Sequence, residues 1–337
     1  MKKYLYVICT VVLIVFVLIA CAAPTVGSEV GSEVNSETSE SSGGGETDKI
    51  IIGATLQDLS NEFIAMNKDA MLAKAAEYPD IEIQILDAEG DAQKQIQQVD
   101  TFVATGVDVI CIGPRDANQL VPAVKNAIDA GIPVVTVSAL LDEDVGQSVV
   151  TSVNQEGGEM LMTWVAEQLG GKGNIAIMRG PIGASAEIQR FEGFEKALAE
   201  NPEMEVVFDQ TANWSREEGM TLMENWLQTG TEIDALVCQN DEMALGALQA
   251  IKDAGKEEEI LVVGMDGILD AFNAIKDGEM DATCFQPAIG QGYKSVEIAY
   301  EAAKGAEPVL YDVGWELVTP ENVEEMYNQI SLDTYVE

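Results

Sequence analysis

Two polar clusters that follow apolar runs give the chain its clearest chemistry. Ala235-Leu236-Val237-Cys238 leads into Gln239-Asn240-Asp241, and Ile260-Leu261-Val262-Val263-Gly264-Met265 leads into Asp266-Gly267. Short apolar runs without helical period read as buried parallel strands. Asn240 and Asp241 can cap a helix by accepting the free N–H groups of its first turn. That helix is predicted over 242–254 and stops at Gly255, a residue suited to the left-handed C-terminal position. Carboxamides and carboxylates at the carboxyl end of a strand stand where open α/β sheets bind ligands. Taken singly, Asn240 and Asp241 read equally well as caps and Asp266 as a turn residue. Two such units in succession point to a ligand edge whose chemistry is hydrogen bonding to a small polar molecule.

Catalysis is the competing use of such acids. Asp58, Asp241 and Asp266 are the candidates for a general acid and base. The chain has no histidine, which removes Ser-His-Asp and Cys-His catalysis and most zinc or iron sites. No strand is followed by a phosphate-binding glycine loop, and no acidic loop has EF-hand spacing. The expectation is a protein that is not an enzyme, with no cofactor and no metal.

The elements that must position these residues alternate regularly. Strands are predicted over 50–56, 81–87, 107–114 and 133–138, with helices over 62–77, 91–104 and 120–130. The pattern restarts with a helix over 154–169. Strands over 174–178 and 205–208 follow, with helices over 186–200 and 216–228, then the two units above. A strand over 282–286 and a helix over 290–304 complete it. This alternation means parallel, doubly wound α/β sheets with right-handed crossovers. Two lobes of this kind create a cleft between their strand ends.

Composition bounds the remaining possibilities. The 337 residues suffice for two domains, and 47% hydrophobic content supplies their cores. With 18 Lys+Arg against 58 Asp+Glu, the formal net charge of -40 repels nucleic-acid phosphates and anionic headgroups, so no nucleic-acid partner is expected. Lys2 and Lys3 precede an apolar stretch over 7–20 that ends Leu18-Ile19-Ala20-Cys21. This resembles a bacterial lipoprotein signal, cleaved before Cys21, which takes the lipid; an uncleaved membrane anchor is the alternative. Either places the remainder outside the cytoplasmic membrane, on its outer face. Residues 22–48 contain Gly-Ser-Glu-Val twice in tandem and read as a disordered acidic tether. Cys111, Cys238 and Cys284 lie in or beside strand-like runs and read as buried hydrophobes rather than a disulfide framework.

From Lys49 onward the chain resembles a type I periplasmic binding protein of the ribose/galactose class, the sugar-binding subunits of ABC importers. The match is densest over Gln239-Asn240-Asp241-Glu242-Met243-Ala244-Leu245-Gly246-Ala247 and Val262-Val263-Gly264-Met265-Asp266-Gly267. Asn61-Glu62-Phe63, Asn154 before Gly157-Gly158, and Arg190-Phe191-Glu192-Gly193-Phe194 extend it. The resemblance implies two lobes, 49–152 with 287–316 and 153–286 with 317–337. The hinge would have three crossings, near Ser152-Val153, Gln286-Pro287 and Glu316-Leu317. It also implies a monomer that closes on a sugar or polyol and delivers it to a membrane permease. A ligand-presenting sensor for a receptor kinase or chemoreceptor is the alternative.

The ligand-binding positions it implies are Gln57, Asp58, Asn61, Phe63, Ser138, Asn154, Arg190, Trp214, Asn240, Asp266 and Gln286. Trp214 would supply an aromatic wall. Phe194, Trp164 and Trp226 read as core, and Arg190 has Glu187 and Glu192 as alternative partners. Where many members carry an Asp-Arg pair after the fourth strand, this chain has Ser138-Ala139, and Ile64 stands where a second ring often follows Phe63. The expectation is a pocket short of one arginine, one carboxylate and one ring, which favours a polyol, cyclitol or modified sugar.

Overall fold

The structure is a computed structural model and describes residues 49–330; the signal, Cys21 and the tether lie outside the described residues. The first sheet is built from β1 (Ile50–Leu56), β2 (Ile81–Asp87), β3 (Val109–Ile112), β4 (Val134–Val137), β5 (Ser148–Thr151) and β11 (Leu310–Asp312). Their order across the sheet is β11-β5-β4-β3-β1-β2 and every pairing is parallel. The helices α1 (Glu62–Ala76), α2 (Ala92–Thr105), α3 (Val121–Asp129) and α9 (Ala288–Ala303) belong to this lobe.

The second sheet runs β12-β10-β9-β8-β6-β7, parallel except where β12 (Glu316–Val318) pairs with β10 (Ala282–Phe285). Its other strands are β6 (Lys172–Arg179), β7 (Glu203–Thr211), β8 (Ala235–Cys238) and β9 (Leu261–Asp266). The helices α4 (Asn154–Leu169), α5 (Ser185–Glu200), α6 (Arg216–Gln228), α7 (Asp241–Asp253), α8 (Leu269–Lys276) and α10 (Val323–Met326) cover it. The chain passes between the sheets three times, after β5, after β10 and between β11 and β12.

Local chemistry explains these elements. β3, β4, β8 and β10 are buried at all four residues, which is why their sequences are apolar runs rather than alternating ones. Asn61, Asp91, Ser215 and Asn240 each accept a hydrogen bond from the first turn of the helix they precede. Gly106 and Gly170 end α2 and α4 in the left-handed conformation. The pairing of α4 with α5 depends on two glycines. A Cβ on Gly158 would stand 2.2 Å from the Arg190 carbonyl oxygen, and one on Gly193 would stand 2.3 Å from that of Gln155. Phe194 is fully buried beneath this contact, as is Trp226 elsewhere in the lobe, and Trp164 packs against the core half-buried.

The structure departs from the predicted alternation in several places. β5, α8, β11, β12 and α10 were not expected. β7 runs longer than the predicted 205–208, because its outer residues are exposed and polar while its backbone still pairs with β6. Cys111, Cys238 and Cys284 are buried and unpaired, and burial pushes the Cys111 thiol up to about 12, which keeps it inert.

Candidate ligand-binding cleft

Between the lobes lies a cavity of about 500 Å³, the size range of a small-molecule site. Ten of the eleven expected ligand positions line it. From the first lobe come Gln57, Asp58, Asn61, Phe63 and Ser138; from the second come Arg190, Trp214, Asn240, Asp266 and Gln286. Asn154 is the exception. It is buried behind Arg190 and accepts from the guanidinium Nε at 2.9 Å, so it positions that residue instead of forming the wall.

Arg190 organises the second-lobe wall. It rises from α5, is 4% exposed, and sits 5.5 Å from the ring of Trp214 and 5.2 Å from that of Trp315. Its Nη1 donates to the Gln239 carbonyl and its Nη2 to Asp266 Oδ1 at 3.2 Å. Glu187, the alternative partner, is taken by Arg179 instead. Asp266 Oδ1 also accepts from Gln286 Nε2 at 2.7 Å, and Gln286 Oε1 accepts from Gln291 Nε2 at 3.1 Å. The chain Asn154–Arg190–Asp266–Gln286–Gln291 therefore fixes every planar group in one orientation. Asp266 Oδ2 takes no hydrogen bond among the described residues and remains an acceptor for a ligand.

Asp241 supports this wall from behind. Its Oδ2 accepts from the backbone N–H groups of Gly267 at 2.7 Å and Ile268 at 3.0 Å, and its Oδ1 from Thr283 Oγ1 at 2.7 Å. These bonds pin the turn after β9 and hold Asp266 at φ 121°. Burial raises the pKa of both acids. The charge of Asp266 raises Asp241 further, while Arg190 and Gln286 lower Asp266. Asn240 does two jobs: Oδ1 caps α7 through Met243 N–H at 3.0 Å, and the residue also lines the cavity.

Among the described residues, the five non-glycine residues with positive φ are Glu89, Ser138, Asn213, Trp214 and Asp266. Four line the cavity and Glu89 adjoins Gly90, which does. Backbone strain of about 1–3 kcal/mol per residue concentrated in one place is a mark of a functional site. Trp214 is held partly by Gly180, where a Cβ would stand 2.0 Å from the indole.

Several residues of the site were not expected from the sequence, among them Arg216, Glu217, Glu218 and Glu242 on the cavity wall, and three of them shape it most. Trp315 lies on the third crossing, donates to the Val153 carbonyl at 2.9 Å, and flanks Arg190. Gln239 donates to the Glu187 carbonyl and accepts from Gly180 N–H, tying the ends of β6 and β8 to the first turn of α5. The third is Arg115, which lines the cavity just after β3. Ser138 and Ala139 line the cavity where the pair was expected to be missing, and Arg115 adds a first-lobe arginine from another loop beside the expected Asp58. The missing ring is as read: Ile64 lines the wall.

The lobes also touch at the mouth. Ala117 N–H donates to the Gly183 carbonyl at 3.0 Å, and Leu140 N–H to Ser185 Oγ at 2.8 Å.

Two doubly wound lobes closed over a strained, polar cavity define a two-lobed solute-binding protein. Comparison with known proteins agrees with that class. The chain belongs to the periplasmic binding protein domain family, which matches residues 52–307. A xylitol-binding protein of Mycolicibacterium smegmatis is 38% identical over 81% of this chain and 78% of its own. A ribose import binding protein of Bacillus subtilis is 36% identical over 79% and 86%. Among solved structures, an ABC transporter solute binding protein from Bacillus halodurans with bound myo-inositol is 42% identical. It superposes with a TM-score of 0.82, covering 85% of this chain and 99% of that one. A Caulobacter myo-inositol binding protein, also bound to myo-inositol, is 27% identical with a TM-score of 0.80 over 86% and 97%.

Proposed function

We propose that this protein is the extracytoplasmic solute-binding component of an ABC importer, and that it binds a neutral polyol or cyclitol by closure of its two lobes. The observation that supports this most directly is the fixed array Arg190–Asp266–Gln286 beside the Trp214 ring. Planar bidentate groups pair with vicinal hydroxyls, and an aromatic face covers C–H faces. Charge narrows the ligand class. Asp58, Glu217, Glu218, Glu242 and Asp266 line the cavity against Arg115, Arg190 and Arg216, five carboxylates to three guanidiniums. That balance disfavours an anionic sugar acid or sugar phosphate. The ligands carried by the xylitol- and myo-inositol-binding relatives suit the same chemistry.

Lipidation at Cys21, the lobe boundaries 49–152 with 287–316 and 153–286 with 317–337, and a monomeric state complete the proposal. Binding proceeds without turnover in this reading. Asp241 has both carboxylate oxygens committed to Gly267, Ile268 and Thr283, so it has no free oxygen for acid–base work. A sensing role has support from a neighbour: the fructose-binding periplasmic domain of a hybrid two-component system is 28% identical with a TM-score of 0.80. A permease and ATPase encoded beside this gene favour import, and a receptor kinase favours sensing. A thermal-shift panel of polyols, cyclitols, pentoses and hexoses tests the ligand class, since a ligand that binds only the native state raises the melting temperature. The expected result is a rise with a polyol or cyclitol. A panel without response refutes the proposal.

A further inference from the structure

The second-lobe wall reads only one edge of a ligand. The facing wall of the first lobe is built with equal care and has polar groups to spare. Gln95, fully buried on α2, brackets two strand ends. Its Nε2 donates to the Gly113 carbonyl at 2.8 Å and the Thr55 carbonyl at 3.4 Å, and its Oε1 accepts from Arg115 N–H at 2.8 Å. This fixes the backbone of Arg115. Its Nε then donates to the Gly90 carbonyl at 2.9 Å, which fixes the guanidinium plane. No further hydrogen bond of the side chain occurs among the described residues, so both Nη groups are uncommitted at the cavity wall.

Asp58 comes to the same place from the loop after β1. A Cβ on Gly90 would stand 3.7 Å from Asp58 Oδ2 and 4.0 Å from Arg115 Nε, so carboxylate and guanidinium flank one glycine. Asp58 Oδ1 is held by Ser60, accepting from its N–H at 2.9 Å and its hydroxyl at 2.7 Å, which leaves Oδ2 to the cavity side. Gln57 lies across Gly113, where a Cβ would meet its Oε1 at 2.3 Å. That Oε1 is buried and has no hydrogen-bond partner among the described residues. An acceptor buried without a donor costs about 1–3 kcal/mol; the Gln57 side chain packs on Gly113 and the residue lines the cavity.

We propose that Arg115, with Asp58 and Gln57, is a second ligand anchor that determines specificity, replacing from two other loops the acid–arginine pair absent at Ser138-Ala139. The proposal rests on the polyol reading above and sharpens it. Each lobe presents a guanidinium, a carboxylate and a carboxamide: Arg115, Asp58 and Gln57 against Arg190, Asp266 and Gln286. A ligand satisfies both sets only if it has hydroxyls on opposite edges. A cyclitol, hydroxylated around its whole circumference, does so; a furanose or pyranose, whose ring oxygen offers no donor, satisfies one set less completely. Polar groups left unpaired after closure then reject the poorer match. Burial lowers the pKa of Arg115 while Asp116 and Asp58 raise it, consistent with a partly desolvated cation beside those carboxylates.

The test compares wild type with Arg115→Met and Asp58→Asn by titration calorimetry against myo-inositol, xylitol and D-ribose. Met keeps the apolar stem of the side chain and removes its donors. Arg115→Met is expected to lose about ten- to a hundredfold in affinity for the preferred polyol, the worth of a charge-assisted hydrogen bond. The gap between that polyol and D-ribose should shrink. Asp58→Asn keeps the Oδ1 bonds to Ser60 and the Gly90–Arg115 bond, so it gives the same test if Arg115→Met does not fold; a similar loss is expected. A folded Arg115→Met, or in its place Asp58→Asn, with Kd values and ligand ranking within twofold of wild type overturns the second anchor alone. A wild type that binds none of the three overturns the polyol reading together with it.

Discussion

At the residue scale the site depends on one buried ion pair. Arg190 and Asp266 are both almost fully buried, and such a pair is stable only because each member is hydrogen-bonded elsewhere as well. Asn154 and Gln239 accept from two more of the five guanidinium N–H groups, and Gln286 shares the carboxylate. Replacing Asp266 by Asn keeps its size and suits the positive φ, but removes the charge that orients Arg190. A charge-assisted hydrogen bond is worth about 1.5–3 kcal/mol, so ligand affinity should fall by about one to two decades. Calorimetric titration reads the change, and an unaltered affinity would show that Asp266 does not meet the ligand.

Most of this pair was legible in the sequence, because Asp266 closes an apolar run and Arg190 belongs to a recognisable helix segment. Arg115 was not recognised, although it too follows an apolar strand run and Gly113-Pro114. Its role depends on contacts with Gly90 and Gln95, residues 25 and 20 positions away, and such contacts leave no trace in local pattern. Trp315 was hidden for the same reason: its significance is the 5.2 Å approach to Arg190, which only the third crossing of the chain creates.

At the element scale, the strands that escaped prediction are those whose stability is wholly tertiary. β11 has three exposed residues and exists because it pairs with β5. β5 in turn is four residues between polar neighbours, buried only once β4 and β11 flank it. Periodicity says little about either. The helices with caps and αL endings were legible because their signals are local. Helix packing, by contrast, can be tested at a glycine. Gly158→Ala drives a methyl group into the Arg190 carbonyl, and neither backbone can yield without parting α4 from α5. Overpacking of this kind costs about 1–3 kcal/mol or more, and a fall in melting temperature of roughly 5–10 °C is expected at the upper end. Ligand affinity should fall with it, since α5, the helix pushed away from α4, carries Arg190. Calorimetry of the ligand-free variant, followed by titration, separates the two effects. A variant as stable as wild type would mean that the helices tolerate a wider spacing.

At the scale of the whole molecule, closure brings like charges together. Glu62 opens α1 in the first lobe and meets the second lobe at Leu269, Asp270, Glu242 and Arg216. Arg216 is already committed, with Nε 2.6 Å from Glu242 and Nη2 2.9 Å from Asp270. Burial of Glu62 raises its pKa, Asp270 and Glu242 raise it further, and the Leu269 N–H and Arg216 only partly restore it. Moving the second lobe away removes Asp270 and Glu242, so the carboxyl returns toward its ordinary value of 4.5. The closed form thus holds the Glu62 proton more tightly than the open form, and closure takes up a fraction of a proton. The linked gain in ligand affinity is fully present below the open-state value and is lost as pH rises through the raised closed-state value. Affinity should therefore increase on acidification across that window. Glu62→Gln removes the titration, so its affinity should exceed that of wild type at neutral pH and converge with it in acid. Titrations of both proteins at several pH values, in buffers of different protonation enthalpy, measure the curve and the proton uptake directly. If the difference between wild type and Glu62→Gln does not vary with pH, Glu62 does not feel the second lobe in the closed state.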